Sequence, residues 1–68
     1  MTNQLKIRRT ICSFTQESLA QQVGVSRQTI HAIETNKYVP STVLALKLAE
    51  CLQVSVEQIF QLEPSDMG

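Results

Sequence analysis

Three residues, Gly24-Val25-Ser26, separate two stretches of helical apolar spacing, and they limit the fold more than any other part of the chain. Upstream, Leu19, Ala20 and Val23 form one stripe; downstream, Ile30 and Ile33 form another. Thr15 is placed to cap a helix from Gln16 to Val23, and Ser26 to cap one from Arg27 to about Thr35. Gly24 supplies the left-handed residue that ends the first of these without a Cβ clash. So short a connection forces a steep crossing, and close approach there needs a small residue. Ala20, one turn before Gly24, meets that need, while Val25, Ile30 and Ile33 fill the angle from the other side.

The remaining chain also reads as short helices. Leu5 to Cys12 is one, with irregular apolar spacing at Leu5, Ile7 and Ile11. Asn36 tolerates a left-handed stop, and Lys37-Tyr38-Val39-Pro40 is a connecting loop. Ser41 caps a fourth helix through Leu52, burying Leu44, Ala45, Leu48, Ala49 and Leu52. Ser55 and Gln58 have capping-box spacing and open a fifth helix ending near Phe60. The tail, residues 63–68, is expected to be loose. The expectation is an all-α chain: a compact five-helix bundle, residues 1–68 forming a single domain with its helix-turn-helix at about 16–35.

Composition narrows the function classes. A chain of 68 residues is one domain at most, and one this small buries only roughly 60% of its unfolded surface. That leaves little room for an enclosed active site. The single His and the separated Cys12 and Cys51 supply no nucleophile with an orienting partner, and no metal-ligand spacing. Neither an enzyme nor a cofactor, metal or small-molecule ligand is expected. The two thiols read as reduced, at or near the core. Aromatic residues make up 4%, too few for a single-strand stacking platform. The longest apolar run, Val43 to Leu46, is far short of a membrane span, and no signal peptide opens the chain, so the expected compartment is the cytoplasm.

The formal net charge is zero, but it is unevenly distributed. Residues 1–40 carry Lys6, Arg8, Arg9, Arg27 and Lys37 against Glu17 and Glu34, whereas residues 41–68 carry Lys47 against Glu50, Glu57, Glu63 and Asp66. One half can face an anion while the other faces away. The helix pair is open to two readings, an ordinary helical hairpin or a DNA-binding helix-turn-helix; small residues, caps and spacing together favour the second.

The run from Thr15 to Ile30, TQESLAQQVGVSRQTI, resembles the Cro/CI-type helix-turn-helix family. The likeness continues through Ala32-Ile33-Glu34, Asn36-Lys37-Tyr38, Pro40-Ser41, residues 45–49 and residues 54–60, and covers roughly residues 3 to 62. Small single-domain members of the cytolysin-operon repressor type look most similar. The resemblance implies a lambda-repressor-like five-helix domain that binds double-stranded operator DNA as a homodimer, usually as a repressor. Some small members add a short strand pair from the two termini, which residues 2–5 and 60–63 could form here.

In this motif the third helix enters the major groove, its N-terminal end nearest the bases. Ser26, Arg27, Gln28, Thr29 and His31 are the candidates there. Arg suits guanine O6 and N7, and Gln suits adenine N6 and N7. Thr29 has a backbone contact, a thymine methyl or plain solvation open to it. His31, where many relatives carry Asn, has a base, a phosphate or solvent open to it. Gln16, at a helix N-terminus, and Asn36, Lys37 and Tyr38, after the third helix, match the family's phosphate clamps. Val39 departs from the Asn or Asp of relatives. Arg9 and Glu34 match a structural salt bridge between the first and third helices. Arg8 stands where relatives place an apolar residue, so it either weakens packing or adds a phosphate contact. Ser13 and Gln53 stand where relatives often have Gly.

Val54, Val56, Ile59, Phe60 and Leu62 are more apolar than a short terminal helix needs, and form the candidate dimer surface. The rival reading is an antitoxin or anti-repressor module that keeps the fold but acts through a partner protein. The neutral charge and Val39 favour it; Gln16, Arg27, Gln28 and Lys37 together count against it.

Overall fold

The computed structural model describes residues 1–67; residue 68, the end of the tail, lies outside the described residues. In chain order the elements are β1 (Thr2–Asn3), α1 (Leu5–Ile11), α2 (Gln16–Val23), α3 (Arg27–Glu34), α4 (Thr42–Leu52), α5 (Val56–Ile59) and β2 (Phe60–Gln61). A 3₁₀ turn follows at Pro64–Met67. The two strands pair antiparallel, Thr2 opposite Gln61 and Asn3 opposite Phe60, so the termini meet inside the ranges expected for them.

Local hydrogen bonds explain where the helices begin. The Thr15 hydroxyl accepts from the Ser18 N–H at 3.0 Å, and the Ser18 hydroxyl accepts from the Thr15 N–H at 2.9 Å. Ser26 accepts from Thr29 N–H at 3.2 Å, and Ser41 from Leu44 N–H at 3.1 Å. Ser55 and Gln58 close a reciprocal box at 3.2 and 2.8 Å. Each cap satisfies a backbone donor that its helix leaves free. Gly24 ends α2 at φ +77°, and a Cβ built there would meet nothing within 4 Å. Backbone conformation alone, not crowding, explains that glycine.

The core forms where α2, α3, α4 and α5 converge. Leu19, Ile30, Leu48 and Ile59 are fully buried, Ile33 nearly so, and each is worth roughly 1.5–3 kcal/mol of apolar burial. Helix α1 contributes Leu5 alone, for Ile7 and Ile11 are 56% and 68% exposed. Its irregular spacing is therefore that of a helix docked by one apolar residue at its start. Arg8 is half-buried, as is Ala45.

Three expectations change. Ile59, assigned to a dimer surface, has no exposed surface and belongs to the core, because the single turn of α5 points it inward. Val54, Val56 and Phe60 are half-buried against that core, leaving Leu62, at 68% exposure, outermost of the five. The tail through Met67 is a turn rather than loose chain: the Met1 ammonium lies 2.8 Å from Glu63 and 2.7 Å from Asp66. Those hydrogen bonds raise the amine's pKa and lower that of Asp66. Finally, Cys12 is exposed, whereas Cys51 is half-buried and burial pushes its thiol pKa up.

Ser13, Asn36 and Gln53 all hold positive φ, at 62°, 60° and 58°. Gln53 ends α4 in the conformation that Gly24 provides for α2. A left-handed non-glycine residue costs roughly 1–2 kcal/mol, partly offset by the entropy that glycine loses on folding. Gln53→Gly is therefore expected to raise the melting temperature by about 4 °C in a calorimetric or circular-dichroism melt. An unchanged or lower midpoint would mean that the Gln53 side chain contributes a contact outweighing the strain.

Candidate nucleic-acid interface

Helix α3 has two unlike sides. Ile30 and Ile33 face the core, while Arg27, Gln28 and His31 are exposed. At 100° per residue Gln28 sits near the middle of the outer face, with His31 on one flank and Ala32 on the other. The half-buried Thr29 leans toward α4, and its hydroxyl lies 3.0 Å from that of the capping Ser26. Glu34 leans the opposite way, toward α1 and α2.

That side holds a polar network. Arg9 Nε donates to Glu34 Oε2 at 2.7 Å, Arg9 Nη2 approaches Glu34 Oε1 at 3.4 Å, and Arg9 Nη1 donates to the Phe14 carbonyl at 2.9 Å. The side chains of Arg9 and Glu34 are 13% and 5% exposed. Gln16 Nε2 donates to Glu34 Oε1 at 3.0 Å and lies 3.3 Å from His31 Nδ1, which accepts when the ring is neutral with its proton on Nε2. The Gln16 amide is thus turned inward, onto the salt bridge. A phosphate at the start of α2 would meet backbone N–H groups first, and the amide only after it leaves Glu34 and His31.

Asn36, Lys37 and Tyr38 are exposed on the far side of α3. Lys37 N–H donates to the Ala32 carbonyl at 2.8 Å, fixing the turn. The Asn36 amide oxygen is engaged by Asn3 Nδ2 at 2.9 Å, and the same nitrogen donates to the Ile33 carbonyl at 3.0 Å. Asn3 Oδ1 in turn accepts from the Leu5 N–H at 3.1 Å. The N-terminal strand therefore ties off the C-terminal end of α3 and opens α1. Beyond the turn, Val39 is 69% exposed. Between α3 and α4 runs an open cleft of about 560 Å³, bordered by Gln28, Thr29, Ala32, Tyr38, Val43 and Lys47 among others.

Residues 5–59 match the family described as Helix-turn-helix. The chain belongs to the Cro/CI-type helix-turn-helix family. An HTH-type transcriptional regulator of Methanocaldococcus jannaschii is 50% identical over 66 residues, covering 97% of this chain and 100% of that protein. The regulator YgzD of Bacillus subtilis is 44% identical, covering 93% and 96%. Among solved structures, the restriction-modification controller protein C.AhdI from Aeromonas hydrophila superposes with a TM-score of 0.76 at 32% identity, covering 82% of this chain and 85% of its own. The DNA-binding domain of the P22 c2 repressor gives 0.74 at 29%, covering 84% and 82%. As a helix-turn-helix transcriptional regulator the chain is a DNA-binding protein and not an enzyme.

In this helix-turn-helix chain the structure places Ser26, Arg27, Gln28, Thr29 and His31 together at the start and outer face of α3, with Gln16 on one flank and Asn36 to Tyr38 on the other. One residue with a bearing on α3 carries no local signal in the sequence. Asn3 lies 33 positions from Asn36, and nothing local marks it as a clamp. Asn3→Ala removes two donors from the end of α3, and a loss of about 1–2 kcal/mol in urea unfolding is expected. A loss under a few tenths of a kcal/mol would mean that water replaces the clamp without cost.

Proposed function

We propose that this helix-turn-helix regulator is a repressor that binds a palindromic operator as a homodimer, with α3 of each protomer in the major groove. The carrying observation is the outer face of α3, where Arg27, Gln28 and His31 stand exposed on a helix capped at its start and clamped at its end. Gln28 and Arg27 are the base readers; Ser26, Thr29, Lys37 and Tyr38 set the register on the backbone. The start of α2 takes a phosphate, with Gln16 joining once its amide turns outward.

Two recognition helices one DNA turn apart need a twofold contact between protomers. With Ile59 in the core, we assign that contact to the shallow apolar groove formed by Val39, Pro40, Ala45, Leu46, Val56 and Phe60, with Leu62 beyond it. The groove lies on the side of α4 and α5, so it stays open when α3 faces DNA.

The test is fluorescence anisotropy on the chain's own upstream DNA against a scrambled duplex, across a salt series. Wild type should prefer the native duplex. Lys37→Ala should weaken both duplexes alike and lower the salt slope by about one per engaged half-site, as expected for a lost phosphate contact. Equal binding to both duplexes would leave backbone attraction alone. The exposed apolar Val39 favours the rival reading of a partner-protein module, and no binding at moderate salt would select it.

A further inference from the structure

Backbone groups settle which way the Asn3 amide points. Its oxygen accepts from the Leu5 N–H at 3.1 Å, so its nitrogen faces the other way. That nitrogen has two hydrogens to give and uses both. One goes to the Ile33 carbonyl at 3.0 Å, the other to the Asn36 side-chain oxygen at 2.9 Å. A reversed amide would set oxygen against the Ile33 carbonyl and nitrogen against the Leu5 N–H, leaving both unsatisfied. The strand pair holds Asn3 in this place, opposite Phe60, while the Gln4 N–H donates to the Ile59 carbonyl at 2.7 Å.

Asn36 inherits that direction. Its backbone is left-handed at φ 60°, and its own N–H also donates to the Ile33 carbonyl, at 3.0 Å. Because Asn3 takes its side-chain oxygen, its amide nitrogen is the end left for a partner outside the fold. Asn36 is exposed beside the exposed Lys37, and no hydrogen bond among the described residues uses that nitrogen. An amide nitrogen donates and does not accept. The turn therefore presents a fixed donor next to a cation, a pairing that suits an anionic oxygen. A freely turning amide would also point its oxygen at a phosphate, and two acceptors repel.

We propose that Asn3 is a positioning residue for DNA binding: it fixes the Asn36 amide with its donor outward, so that Asn36 and Lys37 together grip the phosphate backbone. This assignment rests on the reading of α3 and the turn after it as the DNA-facing surface. Asn3 thereby sets affinity from the N-terminal strand without touching DNA.

A double-mutant cycle on the full chain tests this, with anisotropy on native and scrambled duplexes. Asn36→Gly removes the amide, and glycine holds a left-handed turn without strain, so the fold is kept. It should weaken both duplexes alike, by about fivefold per engaged half-site, the loss of one hydrogen bond. Asn3→Ala frees the amide to rotate and should cost about threefold per half-site, the cost of ordering one side chain. Neither should change the salt slope, because both side chains are neutral, whereas Lys37→Ala lowers it. Combined, the two substitutions should cost no more than Asn36→Gly alone, since Asn3 then has no amide to orient. An Asn3 acting only on stability would multiply the two losses, to about fifteenfold. Asn3→Asp is the second arm should Asn3→Ala lose its fold. It keeps the acceptor for the Leu5 N–H but turns the Asn36 amide round, oxygen outward. Its loss should exceed that of Asn3→Ala and shrink in the Asn36→Gly background. Losses that multiply, or an Asn36→Gly chain that binds as wild type while Lys37→Ala weakens binding, overturn the role of Asn3. Lys37→Ala without effect, or a wild type that binds neither duplex, removes this turn from the DNA surface and defeats the underlying reading as well.

Discussion

Arg9→Ala should remove a large part of this chain's folding stability, as much as the truncation of a core leucine. Glu34 is 5% exposed on its side chain, and its nearest compensating charge is the Arg9 guanidinium at 2.7 Å. Removing one partner of a buried pair strands the other, at a cost of about 3–5 kcal/mol. At roughly 0.05–0.15 kcal/mol per residue, a domain this small has about 3–10 kcal/mol in total. Gln16 Nε2, at 3.0 Å from Glu34, is neutral and cannot replace the lost charge. Arg9→Ala also removes the donor to the Phe14 carbonyl.

Glu34→Gln should cost less: it leaves the Arg9 guanidinium without a counter-charge, but that group is the more exposed of the two and keeps an amide oxygen and the Phe14 carbonyl as acceptors. The double variant Arg9→Met with Glu34→Leu should recover much of the loss, since a buried ion pair adds little over apolar residues of similar volume. Urea unfolding followed by circular dichroism separates these cases. An Arg9→Ala midpoint corresponding to a loss below about 1 kcal/mol would mean that water reaches Glu34 and that the pair is a surface one.

Interactions that close within a few residues were legible in the sequence; those that close across the fold were not. Thr15, Ser26, Ser41 and Ser55 each accept from an N–H three residues on, so spacing alone placed them. The stripe of Leu19, Ala20, Val23, Ile30 and Ile33 follows from period, and all five are buried. In α5 the same logic had nothing to act on. A helix of four residues completes one turn, and period cannot divide the apolar residues from Val54 to Leu62 between core and surface. For that reason Ile59, expected at the dimer surface, lies in the core instead. Arg9 and Glu34, 25 positions apart, could be paired only through family resemblance. Asn3 and the inward turn of Gln16 depend on partners 33 and 18 positions away, which local pattern does not reach.

Gln28→Ala should produce the largest loss of DNA affinity without loss of fold. Gln28 is exposed near the centre of the outer face of α3, so truncation opens no cavity in the core. A well-seated bidentate contact to adenine is worth about 1–3 kcal/mol of discrimination. On a palindrome held by two protomers the contact occurs twice, so the cost doubles to about 2–6 kcal/mol. That is roughly thirtyfold to more than ten-thousandfold in Kd. Because Gln carries no charge, the salt slope should not change, unlike that of Lys37→Ala, which removes a phosphate-facing cation. A duplex carrying one intact half-site and one scrambled half-site separates the single contact from the pair. If two protomers read the palindrome alike, the fold-loss of Gln28→Ala on the full site is the square of its loss on the half-intact site. Equal losses on both duplexes would mean that one protomer does all the reading, which removes the palindromic homodimer from the proposal and leaves base recognition by α3 standing.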